Sequence, residues 1–332
     1  MTRAWESYLG SGEPGGSAPL YEGIIDEDPE KYLATPELKS AVHVAITLGM
    51  PLLLTGPPGS GKSRLAGYLA HRLGKQKPLV FQAKTTSAAQ DLFYRYDALR
   101  HLHAVHAHGA MKGSPDDVPR ADRFIEFQAL GEAIIRASSH ALQVRLLGEE
   151  KAGPPRRSVL LIDEIDKAPR DFPNDVLDEI ESMSFTVRET GDRIPGADAV
   201  APHHRPIVVI TSNSEKNLPE PFLRRCAFFY IEPPNAAQLK DIVDARLGRD
   251  EAFFTPADVK LAIDLFVKVR DQGRLTKPPS TAEFLVWLSM LKKSQTPLAN
   301  LSAPDSDALL ITCSILAKSK ADRERLKSAI RA

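Results

Sequence analysis

Five short runs of nearly unbroken apolar residues punctuate the first 233 positions: PLLLT (51–55), PLVFQA (78–83), SVLLID (158–163), PIVVITSN (206–213) and AFFYIEP (227–233). Each is short and lacks polar alternation, which predicts strands buried on both faces. Helical spacing fills the gaps, as over Pro36 to Leu48, where Leu38, Val42, Ala45 and Ile46 share a face. Strands alternating with helices predict an α/β fold with a five-stranded parallel sheet flanked by helices. Beyond Pro233-Pro234 the strand-like runs stop. Thr255 then reads as an N-cap with Pro256 in the first turn, and Val259, Ala262, Phe266 and Val269 line one side. Ser280 and Glu283 form the two ends of a capping box ahead of Phe284, Trp287, Leu288 and Leu291. The run ALLITCSILA at 308–317 is about half of the roughly 20 residues that cross a bilayer, so a buried helix is expected there. The organisation read from these patterns is a flexible segment at 1–20, an α/β domain at 21–234 and a small all-helical domain at 235–332. GSGEPGGSAP gives the first segment its flexible character.

Composition sharpens this little. The 332 residues suffice for more than one core. Lys plus Arg and Asp plus Glu both number 43, so the chain is neutral. Neutrality argues against nucleic acid or an anionic membrane as a partner. Two cysteines, Cys226 and Cys313, are too few for a disulfide framework, and no charged-then-apolar leader opens the chain. A cytoplasmic location is the expectation.

The chemistry concentrates at the ends of the predicted strands. After the first comes GPPGSGKS, positions 56–63, a glycine, four residues, then Gly-Lys-Ser ahead of a helix. Binding a phosphate tail requires backbone amides to converge without side chains in the way, which Gly56, Gly59 and Gly61 permit. The helix adds the positive end of its dipole. Lys62 reaches terminal phosphates, and the Ser63 hydroxyl suits the oxygen shell of magnesium. Pro57, Pro58, Ser60 and Arg64 complete the candidate binding loop. The plain alternative is a glycine turn beside an exposed lysine.

Asp163 and Glu164 close the third run, where carboxylates after four apolar residues are costly unless they have partners or work. Asp163 is the candidate metal holder and Glu164 the candidate base for an attacking water. An acidic helix start would also account for DEID. Asn213, ending the fourth run, is placed to orient water, or simply stops the strand. Arg224 and Arg225, just before the fifth, are candidates for stabilising charge on a transferring phosphoryl group, against surface ion pairs as the plain reading.

The order GPPGSGKS, VLLIDEIDKA, VVITSN, LPEPFLRRC, then a helical lid, resembles the AAA+ ATPases of the MoxR-like, dynein-related clade over roughly residues 24–295. The resemblance implies a P-loop NTPase using ATP and Mg2+, with Lys62 and Ser63 in Walker A, Asp163 and Glu164 in Walker B, and Asn213 as sensor 1. It implies Arg225 as the arginine finger, Arg224 second, and Tyr32 and Leu33 lining the adenine pocket. It further implies a homo-oligomeric ring, commonly a hexamer, that acts as a chaperone-type motor on a protein client, with von Willebrand factor A domain proteins as partners. One departure stands out: where many relatives carry a sensor 2 arginine, this chain reads Ser280-Thr281-Ala282-Glu283. Arg274 and Lys277 are the nearest substitutes. The departure motivates an alternative, a nucleotide-dependent scaffold with slow hydrolysis; a DNA-directed motor is a third reading, disfavoured by the neutral charge.

Two segments exceed what a strand connection needs and are candidates to contact a client or partner: an insertion within 85–157 and a hairpin over 184–206, its turns supplied by Gly191-Asp192 and Pro195-Gly196, for which a surface loop is the plain reading. His101, His103, His106 and His108 lie in the first. On one helix all four do not share a face, so solvated histidines are expected rather than a metal site.

Overall fold

The chain, seen in a computed structural model that describes residues 28–74, 76–110, 118–196, 200–214, 218–248, 253–301, 303 and 306–331, divides into two units. One comprises residues 34–56 and 62–231; the other comprises the described residues up to 33, residues 57–61 and those from 232 onward.

In the first unit, α1 (Pro36–Leu48) starts at Thr35, whose hydroxyl accepts the Leu38 N–H, and stops at Gly49 in the left-handed region. It leads into β1 (Leu52–Thr55), buried throughout. Then follow α2 (Lys62–Arg72), β2 (Leu79–Gln82), β3 (Tyr94–Tyr96), α3 (Ala98–Ala110), β4 (Ile125–Phe127), α4 (Ala129–Ala137), α5 (His140–Leu147) and β5 (Val159–Asp163). The rest is α6 (Phe172–Asp175), α7 (Leu177–Ser182), β6 (Phe185–Thr186), β7 (Arg193–Ile194), β8 (Ile207–Thr211), α8 (Glu220–Arg224) and β9 (Ala227–Tyr230).

The five strands expected from the apolar runs form one sheet in the order β2-β5-β8-β1-β9, every neighbouring pair parallel. Leu53, Leu160, Ile162, Val208 and Ile210 are fully or almost fully buried in its middle. Burial on both faces holds for the three central strands only. On the edges, Val80 of β2 and Phe228 and Tyr230 of β9 are exposed, because an edge strand has one neighbour and less cover. Parallel pairing brings the C-terminal ends of β2, β5, β8 and β1 to a single edge, the edge where ligands bind in open α/β sheets.

The segment read as an insertion is partly core. α4 buries Leu130, Ala133, Ile134 and Ile135 and packs on β2 and β5, and a Cβ on Gly131 would stand 2.0 Å from the Phe93 carbonyl oxygen. The extra portion is β3 and β4, an antiparallel pair from whose ends α3 projects. All four histidines lie on α3. His101 departs from the solvated expectation: it contacts the Tyr96 hydroxyl and the Pro119 carbonyl and stacks on Phe124. His103 and His106 are exposed, and no group of three metal-capable side chains occurs among the described residues. Among the described residues the later hairpin is shorter than its segment, its strands pairing Phe185 with Ile194 and Thr186 with Arg193; Gly191 and Gly196 take positive φ.

The second unit has α9 (Ala236–Leu247), α10 (Pro256–Gln272), α11 (Thr281–Lys293), α12 (Asp307–Leu316) and α13 (Lys320–Arg331). Thr255 with Asp258, and Ser280 with Glu283, close the capping boxes of α10 and α11. Phe266, Phe284, Trp287, Leu291, Leu316 and Leu326 are wholly buried in its core. The Trp287 indole donates to Thr312 at 2.8 Å, which satisfies the polar end of a buried ring. No helix of the described residues is long and apolar enough to cross a membrane.

Candidate functional site

Backbone conformation shapes the loop after β1. Gly56, Gly59 and Gly61 have φ of 139°, 70° and 91°, a region side chains disfavour. At Gly56 a Cβ would stand 2.5 Å from the Ile231 carbonyl oxygen, so space as well as conformation demands glycine. At Gly59 a Cβ would stand 2.6 Å from Ser280, and at Gly61 it would stand 3.4 Å from the Tyr32 ring. The Ser60 hydroxyl oxygen is shielded from solvent and has no hydrogen-bond partner among the described residues. α2 begins at Lys62, and its first N–H groups have no partner within the helix. A glycine-lined turn running into a helix start, with a hydroxyl to spare, suits a phosphate chain.

Lys62 is buried, unusual for lysine. Its ammonium donates to Gly56 O at 2.8 Å and to Asn213 Oδ1 at 3.0 Å. Burial pulls its pKa below the ordinary lysine value, while the charges of Asp163, Asp166 and Glu164 oppose that shift. Lys167 faces the same three carboxylates, so two lysines share them.

Asp163 ends β5, and its Oδ1 accepts from the Ser63 hydroxyl at 2.6 Å and from the Thr211 hydroxyl at 2.5 Å. A carboxylate and a hydroxyl in contact are the hard oxygen donors that magnesium prefers, so these residues fit that ion. Next along the chain, Glu164 takes the left-handed conformation, φ 56° and ψ 49°. Such strain in a non-glycine residue persists where surroundings enforce it. Its N–H donates to Thr211 at 2.9 Å, and its Oε2 accepts from Gln82 at 2.8 Å and from Lys167. The Asn213 N–H donates to Asp166 at 3.2 Å.

The structure therefore clusters Lys62, Ser63, Asp163, Glu164 and Asn213 at one end of the sheet, with Lys62 bonded to Asn213, and Ser63 bonded to Asp163, which Thr211 links to Glu164. Arg64 lies half-buried in the first turn of α2, and Tyr32 lies beside Gly61, whereas Leu33 is exposed. Arg224 and Arg225 are not in the cluster: Arg224 pairs with Glu220, and Arg225 with Asp178 at 3.0 Å and Glu181 at 3.9 Å. Ser280, where the resemblance expects a nearby arginine, caps α11 and lies against Gly59.

Four members of the cluster escaped sequence reading: Thr211, Gln82, Asp166 and Lys167. Each is a polar residue at or just past the C-terminal end of a predicted strand, the signal that marks ligand positions in a parallel sheet.

Comparison with known families agrees with this geometry. The model of the AAA domain, dynein-related subfamily, matches residues 51–226. No curated protein matches the chain. The chain belongs to the dynein-related AAA family, with the P-loop fold and the nucleotide-dependent activity that membership carries.

Proposed function

We propose that this AAA domain binds a magnesium–nucleoside triphosphate complex, ATP by resemblance, and hydrolyses its terminal phosphate within a ring of copies that remodels a protein client. The observation that carries the reading is the buried Lys62 ammonium held between Gly56 O and Asn213 Oδ1. A buried ammonium beside a glycine-lined turn that runs into a helix start is placed to meet the negative charge of a phosphate chain.

Bound magnesium would neutralise charge on the phosphate oxygens, and Ser63 and Asp163 are the residues that would hold it. The loop amides and Lys62 grip the phosphates, while Tyr32 and Leu33 border the base. Glu164 accepts the proton of the attacking water, and Asn213, fixed by Lys62 and Asp166, orients that water. Arg225, with Arg224 second, is the cation offered to the transition state. Strands of four or five residues separate Arg225 from Asp163 by roughly 13–17 Å along the sheet, so its phosphate belongs to a neighbouring copy. In this proposal the assembly is a MoxR-like hexamer, its chaperone-type work directed at a partner such as a von Willebrand factor A domain protein through α3 and the β6–β7 hairpin.

A second reading, a nucleotide-dependent scaffold with slow hydrolysis, is favoured by Ser280 at the lid position and by the two partners that occupy Glu164 Oε2. Steady-state turnover measured against subunit concentration separates the readings. A motor with a trans arginine gives a specific rate that climbs with assembly, and Glu164→Gln retains nucleotide while turnover falls by about 10²–10⁴-fold. Negligible turnover at every concentration, with nucleotide bound, establishes the scaffold instead.

A further inference from the structure

The β6–β7 hairpin has an edge with no strand beside it among the described residues. Phe185 pairs with Ile194 and Thr186 with Arg193, and the Val187 N–H donates to the Asp192 carbonyl at 2.8 Å. Bonded and non-bonded pairs alternate along an antiparallel ladder. Because Val187 is bonded to the facing strand, Thr186 is not, and its N–H and C=O point away from β7. Neither group has a partner among the described residues, and Thr186 is exposed. An unpaired edge of this kind is a template for another strand.

Thr186 and its neighbours Ser184 and Phe185 line a cavity of about 670 Å³. Phe93, its ring centroid 5.1 Å from that of Phe185, gives the cavity an apolar side. Arg188 and Arg193 give it a cationic one. Buried Phe185 and Val187 alternate with exposed Thr186 and Arg188, and Arg193 stands opposite Thr186, so both arginines share the outer face of the hairpin with that threonine. Arg193 donates to the Ser184 hydroxyl at 3.1 Å, and neither guanidinium is paired with a carboxylate among the described residues. The two acids among the lining residues both come from α7. Arg225 holds Asp178 at 3.0 Å, which leaves Glu179 alone against two arginines.

We propose that this edge takes an extended, acidic peptide segment of the client as an added strand on β6, its backbone bonding to Thr186 and a carboxylate side chain meeting Arg188 and Arg193. The inference rests on the client-remodelling reading and supplies the chemistry of the segment that is held. Pairing with Thr186 needs a chain that carries N–H and C=O groups at strand spacing, which is a peptide. Two arginines against one free carboxylate select acidic side chains on that peptide, while its apolar side chains have Phe93 and Phe185 to rest on. In strand addition of this kind the main-chain bonds give affinity and the flanking side chains give selectivity.

The test is fluorescence anisotropy on the full chain, without nucleotide, using a labelled peptide of alternating valine and glutamate. Saturable binding is expected, weakened about ten-fold or more when the peptide is N-methylated throughout, which removes its donors to β6. Arg188→Glu is expected to weaken binding by a similar factor, because it sets like charges together. Thr186→Pro deletes the outward N–H and leaves the β6–β7 ladder intact, since proline is tolerated where an edge N–H faces solvent. It too is expected to weaken binding; should it fail to fold, Arg188→Glu, at an exposed side chain, carries the test. No saturable binding to the wild type, equal binding of the N-methylated peptide, or an affinity unchanged in Arg188→Glu or in folded Thr186→Pro overturns the proposal. A wild type that binds no peptide, but whose self-association is lost in Thr186→Pro, gives the edge to a second copy and overturns it as well. Peptide binding by a chain that never turns over ATP would strike the motor reading and leave the strand site standing; turnover without peptide binding would do the reverse.

Discussion

Thr211 ties down Asp163: its hydroxyl donates to the carboxylate at 2.5 Å and accepts the Glu164 N–H at 2.9 Å. One buried side chain therefore fixes the candidate metal holder and the backbone of the candidate base together. Thr211→Val is isosteric and removes both bonds. Loss of such a supporting contact typically costs 10–100-fold, so turnover should fall by about that factor and the magnesium concentration for half-maximal rate should rise. Thr211→Ser should restore both. Magnesium titrations of the two variants check this.

Lys167 and Gln82 share Glu164 Oε2. Both members of the Lys167–Glu164 pair are partly exposed, and the hydrogen bond to Glu164 raises the lysine pKa. An ammonium on that oxygen competes with the proton that the base must take. Lys167→Met should therefore raise turnover modestly, about two- to five-fold, at unchanged nucleotide affinity. A fall in rate would instead make the lysine a support for the base. Single-turnover hydrolysis measures this directly.

Most of the scaffold was legible in the sequence because a parallel sheet writes itself as apolar runs, and the capping boxes at Thr255 and Ser280 mark their helices locally. The exposed face of β9 was not legible, since AFFYIEP reads the same at an edge as in the middle. In the site, the GPPGSGKS and DEID segments announce Lys62, Ser63, Asp163 and Glu164. Thr211 and Gln82 stayed hidden because their part depends on β8 and β2 flanking β5, which is a matter of strand order.

Burial pushes the Cys226 thiol up to about 12 and raises that of Cys313 as well. The thiolate is the reactive form, so at pH 8 neither described cysteine should be modified rapidly by a thiol reagent in the folded chain. Both should react once the chain is unfolded in guanidinium. Fast labelling of Cys226 in native protein would show that the α8–β9 junction opens.

The central claim is that the buried Lys62 ammonium and the glycine loop ahead of it grip a triphosphate. Calorimetric titration of magnesium–ATP into the folded wild-type chain and into Lys62→Ala tests it most directly. The prediction is saturable binding to the wild type, lost or severely weakened in the variant. Absence of binding to the wild type, or equal binding to both, would contradict it.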